Sequence, residues 1–480
     1  MIKQQSAKTN YILQFGYQAL MLIIPFLMSP YLTRTLKSSS LGIYSFCNSI
    51  AAYFVIFANL GIMRYGQRLI SKNRNNEIEL RKSFWSLYLD HAIISIVSTI
   101  FYFLFISFWG SDFKSVYFAL SLFVFSSTFD ITWLFYGLEN FKSVVIRNFL
   151  IRVINCLLII LLIKSPSDIV LYTIIESVCV LAGHLCLIPT ALKTIKPIAF
   201  SKKDLLVHFK PMLLLSISVI AVSLYVVFDK TLLGLLTNKE NVAFYEYANR
   251  IITIPRTFIL IIGTVMFPRA CYLANKGDIN GQKKYLNISF LVSFFIGFAS
   301  FFGLLSVANE FATFYYGSEF SVCGDILKAT AIIPLIVGVG DVIRTQYMIP
   351  CKMDKQYTLC VILNATINLI LSSLLISKLG VYGVIIGTVS AEFFGMIFQL
   401  FLCRKHLDLK PILKYSLSFF TIGLFMYSSI QLLSSYLSNG LISLIVCIVS
   451  GAFVFCLLSF FYLYFAEKDT IMMIFKKRNK

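Results

Sequence analysis

Apolar residues run along this chain in long blocks, and each block ends where Lys, Arg, Asn, Gly or Pro gather. An α-helix rises about 1.5 Å per residue, so about twenty apolar residues are needed to cross a hydrocarbon core roughly 30 Å thick. The pattern predicts about fourteen such helices, near residues 11–33, 42–63, 84–108, 115–138, 149–163, 169–191, 212–236, 243–267, 286–308, 329–350, 357–377, 381–402, 415–436 and 441–465. This is the pattern of an all-α polytopic membrane protein. The first block follows MIKQQSAKTN, is too long for a cleaved signal and lacks a clean small-residue cleavage site, so a retained anchor is expected.

Composition removes the soluble alternative. With 58% apolar, 16% aromatic and 13% charged residues in 480, no single soluble core could bury the chain. The formal charge of +20 raises nucleic acid as a partner, and the placement of the basic residues decides against it. With the spans above, and with Arg152 at the opening of span five counted with its loop, the N-terminus, the loops after even spans and the C-terminus hold 31 of the 42 Lys and Arg; the alternate loops hold 7, and 4 lie within spans. Such alternation puts both termini in the cytoplasm. The eleven Cys form no CxxC pair, so neither a disulfide frame nor a metal site is expected.

The densest set of embedded charges lies on the hairpin from Tyr225 to Arg269, two apolar helices joined near Asn238 to Asn241. It carries Asp229, Lys230, Glu246, Arg250 and Arg256. Each charge at the centre of a membrane helix costs about 2.5–3.5 kcal/mol on insertion scales, a burden that points to a transport site. Asp229 and Lys230 precede the turn by about ten residues and Arg250 follows it by about ten, which sets all three roughly 15 Å from it. Pro255 is expected to loosen the helix ahead of Arg256, and a cationic, partly broken helix at the midplane suits an anionic substrate.

Arg250, Arg256 and Lys230, together with Arg344 and Arg34, are therefore the expected substrate-binding residues. A guanidinium binds phosphate oxygens bidentately and stays charged at physiological pH. Arg250 and Arg256 are six positions apart, about 120° around an ideal helix, so both face one cavity only if Pro255 distorts it. Glu246, one turn before Arg250, is expected to pair with it when the site is empty. The competing role for Arg250 is a bridge to Asp229 of the preceding span.

Other embedded groups fall along the chain. Pro25 and Pro30 predict a bend in span one, and Arg34 either faces a vestibule or snorkels to the outer interface. RYGQRLISKNRNNEIELRK, from Arg64 to Lys82, is the most basic loop. Span four ends in DITWLFYGLENFK, whose Trp133 and Tyr136 read as an interfacial belt and whose Asp130 is embedded. Arg147 and Arg152 open span five; Glu176 and His184 lie in span six; Asp341 and Arg344 neutralise one another in span ten; Glu392 lies in span twelve. Asp130, Glu176, Asp229 and Glu392 leave coupling to a proton or sodium gradient open, with Glu246 and Asp341 as charge balance and no other cofactor. Spans thirteen and fourteen hold no charged residue and read as peripheral.

The halves look like copies. At an offset of 201, Tyr44, Asn48 and Arg68 fall on Tyr245, Asn249 and Arg269; at 213, INCLLIILLIK from Ile154 echoes INLILSSLLISK from Ile367. An even number of spans separates the matches, which predicts a parallel repeat. The expected division is 1–210 and 211–410 as two six-helix lobes, with 411–480 as two added helices and a basic tail.

SPYLTRTL, LGIYSF, LGIMRYGQR, DITWLFYGLENFK, DKTLLG, AFYEYANRI and VMFPR, in this order and spacing, resemble the bacterial polysaccharide flippases, the Wzx-type O-antigen transporters of the MOP exporter superfamily. The resemblance covers nearly the whole chain. Two positions depart from it: Lys37 stands where the family often has Gly, and Tyr136 where Gln is frequent. The resemblance implies a V-shaped MATE-like pair of lobes in the bacterial inner membrane. It implies transfer of an undecaprenyl-diphosphate-linked oligosaccharide to the outer leaflet, with membrane lipids, a polysaccharide polymerase and a chain-length regulator as partners. Three alternatives share some of these features. A multidrug cation antiporter would favour an acidic cavity. A membrane glycan polymerase would carry a sizeable outer loop and a catalytic constellation. A flippase for a lipid-linked peptidoglycan or teichoic precursor differs only in the headgroup.

Overall fold

The structure is a computed structural model that describes residues 7–109, 112–198, 207–438 and 440–467, with the side chains of 7–15, 17–20, 194, 214, 215 and 217–226 outside that description. The start of the chain, residues 199–206 just before the expected division at 210, and the basic tail lie outside it as well. The regular structure of the described residues is all helix, without strands. In order they form α1 (Ala7–Asn59), α2 (Ile62–Asn73), α3 (Glu77–Trp109), α4 (Lys114–Ser126), α5 (Thr132–Gly137), α6 (Phe141–Leu162), α7 (Ile169–Leu185), α8 (Ile188–Thr194) and α9 (Phe209–Leu236). Then follow α10 (Lys239–Lys276), α11 (Ile279–Tyr316), α12 (Val322–Thr330), α13 (Ile333–Ile343), α14 (Asp354–Leu379), α15 (Val381–Cys403), α16 (Leu409–Tyr436) and α17 (Leu441–Ala466).

Each predicted span falls on one or more of these helices. Among the described residues, 11 helices are long and apolar enough to cross a membrane, or 12 if the bent pair Ser318–Thr330 and Ile333–Met348 is one span. That count takes predicted spans one and two together, because α1 runs through both. No break falls at Pro25 or Pro30; both prolines sit inside α1. Ser29 Oγ donates to the Pro25 carbonyl at 2.7 Å and Thr33 Oγ1 to the Ser29 carbonyl at 3.0 Å, so hydroxyls brace the turns around them. The break comes instead at Lys37, with φ 64° and ψ 171°.

That backbone geometry is essentially reserved for glycine and costs a residue with a Cβ about 1–3 kcal/mol. Lys37 is also the position where the family pattern often has Gly. Lys37→Gly is expected to raise the thermal unfolding temperature of the purified protein; an unchanged or lower midpoint would show that the break is not strained.

Contacts divide the chain into two units, Met1–Ala243 and Phe244–Lys480, with the division inside α10. The first unit has its core where the LGIMRYGQR and DITWLFYGLENFK segments meet. α2 is strongly amphipathic: Ile62, Gly66 and Ile70 are buried, while Arg64, Arg68 and Lys72 are exposed on the other face. α5 lies against that buried face. A Cβ on Gly66 would stand 2.7 Å from the Trp133 ring, and one on Gly137 would stand 2.7 Å from Ile70, so these two glycines set the closeness of the helices. Trp133 is fully buried beside Phe84 and is a core residue, contrary to the interfacial belt expected of it. An indole so enclosed serves packing before it can serve the lipid headgroups.

The second unit is built around α11. Phe290, Phe294, Phe298 and Phe302 form a stacked ladder along it, and Phe419, Met426 and Phe455 of α16 and α17 join the same core. The two charge-free spans lie on α16 and α17 and pack on α11. Their outer faces, with Phe425, Val449, Phe453 and Phe465, are exposed as lipid-facing residues are.

Candidate functional site

In the first unit the span-four helix stops early. A 3-10 turn at Ser127–Phe129 and an extended Asp130 separate α4 from α5. Asp130 Oδ1 accepts from the Thr132 amide at 2.9 Å, and Trp133 Nε1 donates to the Asp130 carbonyl at 3.0 Å. The carboxylate therefore starts α5, with the imidazoles of His184 and His91 within electrostatic reach. His184 Nδ1 contacts the Ser126 carbonyl at 2.8 Å, which makes that nitrogen the donor.

Beside this turn lies a polar cavity of about 360 Å³, lined from α5, α6 and α7 with Met21 and Met63 of α1 and α2. Arg152 and Glu176 face one another across it at 4.0 Å. Asp229, on α9, is buried within electrostatic reach of Tyr53; Lys230 is half-buried and Arg34 exposed.

In the second unit the predicted pairing of Glu246 with Arg250 is present, Nε to Oε1 at 3.3 Å, one helical turn apart on α10. The Arg250 guanidinium also lies 4.4 Å above the Tyr247 ring. Tyr247 is buried, packed edge-on against Tyr316 at 5.5 Å, and its carbonyl accepts from the Tyr316 hydroxyl at 2.8 Å. A rigid aromatic floor thus holds a guanidinium that keeps 28% of its side chain exposed.

Pro255 does not break α10, which runs unbroken from Lys239 to Lys276 through Pro255 and Pro268. Thr253 and Thr257 hydroxyls bind the carbonyls four residues back at 2.8 Å on either side of it. The expected partial break is therefore corrected, and Arg250 and Arg256 keep about the 120° separation of a continuous helix. Arg256 makes no hydrogen bond among the described residues, and its charge reaches Asp341 instead.

Asp341 and Arg344 form the predicted ion pair. Asp341 is 3% exposed, and its Oδ2 has no hydrogen-bond partner among the described residues. Gly263 of α10 lies against that oxygen, where any Cβ would collide with it. Arg344 opens a π-helical turn, Arg344–Met348, a local irregularity that often accompanies function, and the charge of Glu392 acts on it from α15. Arg256, Asp341, Arg344 and Glu392 thus form an alternating series of charges within one unit.

From sequence, Arg147 and Arg152 read only as the opening of span five. The structure makes them cavity residues, and a signal was present: Arg147, Asn148, Ile151, Arg152 and Asn155 recur at the spacing of one helical face. Among the described residues no group of His, Cys, Asp and Glu is arranged to hold a metal ion.

Apolar helices of membrane length with charged groups set inside them define a multi-pass membrane protein of the MOP transporter fold. The chain superposes on the lipid II flippase MurJ in an inward closed conformation with a TM-score of 0.75, covering 95% of this chain and 99% of that one at 19% identity. An inward-facing multidrug resistance MATE family transporter of the MOP superfamily gives 0.59, over 80% of this chain and 97% of that one, at 14% identity. Over residues 8–273, more than half its length, the chain matches the family described as polysaccharide biosynthesis protein, and it belongs to that family. It is 22% identical to a "Putative O-antigen transporter" of Shigella dysenteriae over 82% of this chain and 99% of that protein. It is also 22% identical to a "Probable low-salt glycan biosynthesis flippase Agl15" of Haloferax volcanii, over 33% of this chain and 34% of that one.

Proposed function

We propose that this protein is a flippase for lipid-linked oligosaccharides, carrying undecaprenyl-diphosphate-linked repeat units from the cytoplasmic to the outer leaflet of the bacterial inner membrane. The observation that carries the reading is Arg250, a permanent cation held on a rigid aromatic floor within a membrane-length helix, paired with Glu246 and still partly open. Such a group can exchange its carboxylate for a diphosphate oxygen without leaving a buried cation unpaired between cycles. The same unit holds an apolar cavity of about 500 Å³, lined from α10, α11, α16 and α17 by residues including Pro255, Phe295, Met426 and Phe455. Its chemistry suits a hydrocarbon tail. The family and its named relatives favour a glycan substrate over the cations of a multidrug antiporter. The relatives are named as transporters and flippases, in keeping with a protein that does no covalent chemistry.

The reading keeps both termini in the cytoplasm, the two lobes 1–210 and 211–410, and a polymerase and chain-length regulator as partners. It also keeps proton or sodium coupling through Asp130, Glu176, Asp229 or Glu392. In cells lacking the protein, the lipid-linked repeat unit is expected to accumulate in the cytoplasmic leaflet; normal outer-leaflet levels would end the flippase reading. In vesicles, at least one of Asp130→Asn, Glu176→Gln, Asp229→Asn and Glu392→Gln is expected to flip at a rate that no longer responds to pH or sodium. Wild-type response in all four would place coupling elsewhere.

A further inference from the structure

The polar cavity of the first unit is lined by two helix faces that oppose each other. α6 supplies Arg147, Asn148, Arg152 and Asn155; α7 supplies Glu176 and His184. A cavity of about 360 Å³ is within the usual range of roughly 300–1,000 Å³ for small-molecule sites. Polar side chains so placed in apolar helices need partners, and two here are only partly satisfied. Asn155 is 4% exposed, and its Nδ2 has no hydrogen-bond acceptor; its neighbour is the thiol of Cys179, a weak acceptor at best. Arg152 makes no hydrogen bond among the described residues, and its 4.0 Å approach to Glu176 is well beyond the roughly 2.7–2.9 Å of a closed charge-assisted bond. A guanidinium and a buried amide thus present donors to the same space.

The lining also limits the charge a ligand can bring. Arg147 and Arg152 contribute two positive charges and Glu176 one negative, so the lining carries one net positive charge. Asp130 is not among the lining residues and already accepts from the Thr132 amide. A phosphate monoester carries about −1.5 to −2 and would face Glu176 with charge in excess. A carboxylate matches. His184 donates through Nδ1 to the Ser126 carbonyl, which leaves Nε2 to accept from a hydroxyl, and Thr132 and Tyr136 add hydroxyls of their own.

We propose that this cavity binds one carboxylate-bearing sugar ring of the transported glycan, with Arg152 and Asn155 on the carboxylate and Glu176 and His184 on ring hydroxyls. The proposal rests on the flippase reading and adds the substrate class: an oligosaccharide that contains a uronic-type acid.

The test uses the full-length protein in nanodiscs, with D-glucuronate, glucose and inorganic phosphate as probes, read by saturation-transfer NMR. Glucuronate is expected to bind at least tenfold better than glucose. Arg152→Gln and the near-isosteric Asn155→Asp are each expected to weaken it at least tenfold, the second by setting a like charge against the carboxylate. Equal binding of glucose, retention of glucuronate by both variants, or displacement of glucuronate by equimolar phosphate overturns the proposal. A second arm compares flipping of an acidic repeat unit with that of its neutral analogue in vesicles. Arg152→Gln is expected to slow the acidic one selectively. Glucuronate binding without that selectivity would make the cavity a site for a free acid and overturn its assignment to the glycan. Because the first arm needs no transport, it stands or falls independently of the flippase reading.

Discussion

Arg250→Ala is expected to lower flipping about 10–100-fold while protein level and membrane insertion stay normal. Hydrogen bonds to charged groups are worth about 1.5–3 kcal/mol each, and truncation removes the guanidinium together with its reach. The side chain that remains leaves the floor intact, because Tyr247 and Tyr316 hold one another by ring packing and by the hydroxyl-to-carbonyl bond. Arg250→Lys is expected to recover only part of the rate, since an ammonium cannot form the two parallel bonds of a guanidinium. Glu246 gives the complementary result. If Arg250 holds the substrate as proposed, the Glu246 carboxylate 3.3 Å away competes for it, so Glu246→Gln is expected to tighten apparent substrate affinity and slow turnover together. Normal flipping by Arg250→Ala in vesicle assays of leaflet exchange would remove Arg250 from the substrate site.

Removing one partner of the Asp341–Arg344 pair is expected to be the most destabilising single change at these charged positions. The carboxylate is almost fully enclosed, with Gly263 against one oxygen and Arg344 on the other. Taking away the guanidinium leaves a buried charge that no longer has its partner, which costs about 3–5 kcal/mol. Arg344→Ala should therefore lower the apparent unfolding temperature and the yield of monodisperse protein sharply. The double variant Asp341→Asn with Arg344→Gln removes both charges at once and is expected to regain most of the loss. Stability of Arg344→Ala equal to that of the wild type, read by thermal unfolding in detergent, would mean that Asp341 is already neutral or solvated.

Much of the fold was open to inspection in the chain. Runs of apolar residues of membrane length are forced into helices because hydrocarbon offers no partner for a backbone amide, so span positions followed from hydropathy alone. The pairing of Glu246 with Arg250 and of Asp341 with Arg344 also followed, since each lies within one turn of a single helix. Prolines misled in both directions. Pro25, Pro30 and Pro255 break no helix, while α1 breaks at Lys37, a residue with no helix-breaking propensity of its own.

Local sequence by itself determined where the helices run, which residues are charged within them, and which charges three or four residues apart can meet. Only the tertiary structure decided which helices those charges serve. Trp133 looked interfacial and is buried because Gly66 of a helix far away in sequence makes room for it. Arg152 looked like a loop cation and lines a cavity because α7 brings Glu176 and His184 opposite it. Arg250 and Arg256 looked like one site, but a continuous α10 turns one to Tyr247 and Glu246 while the charge of the other reaches Asp341. The physical reason is the same in each case. Helix periodicity is a property of neighbouring residues, whereas the angle at which a face meets its partner is set by packing between residues that the chain order does not relate.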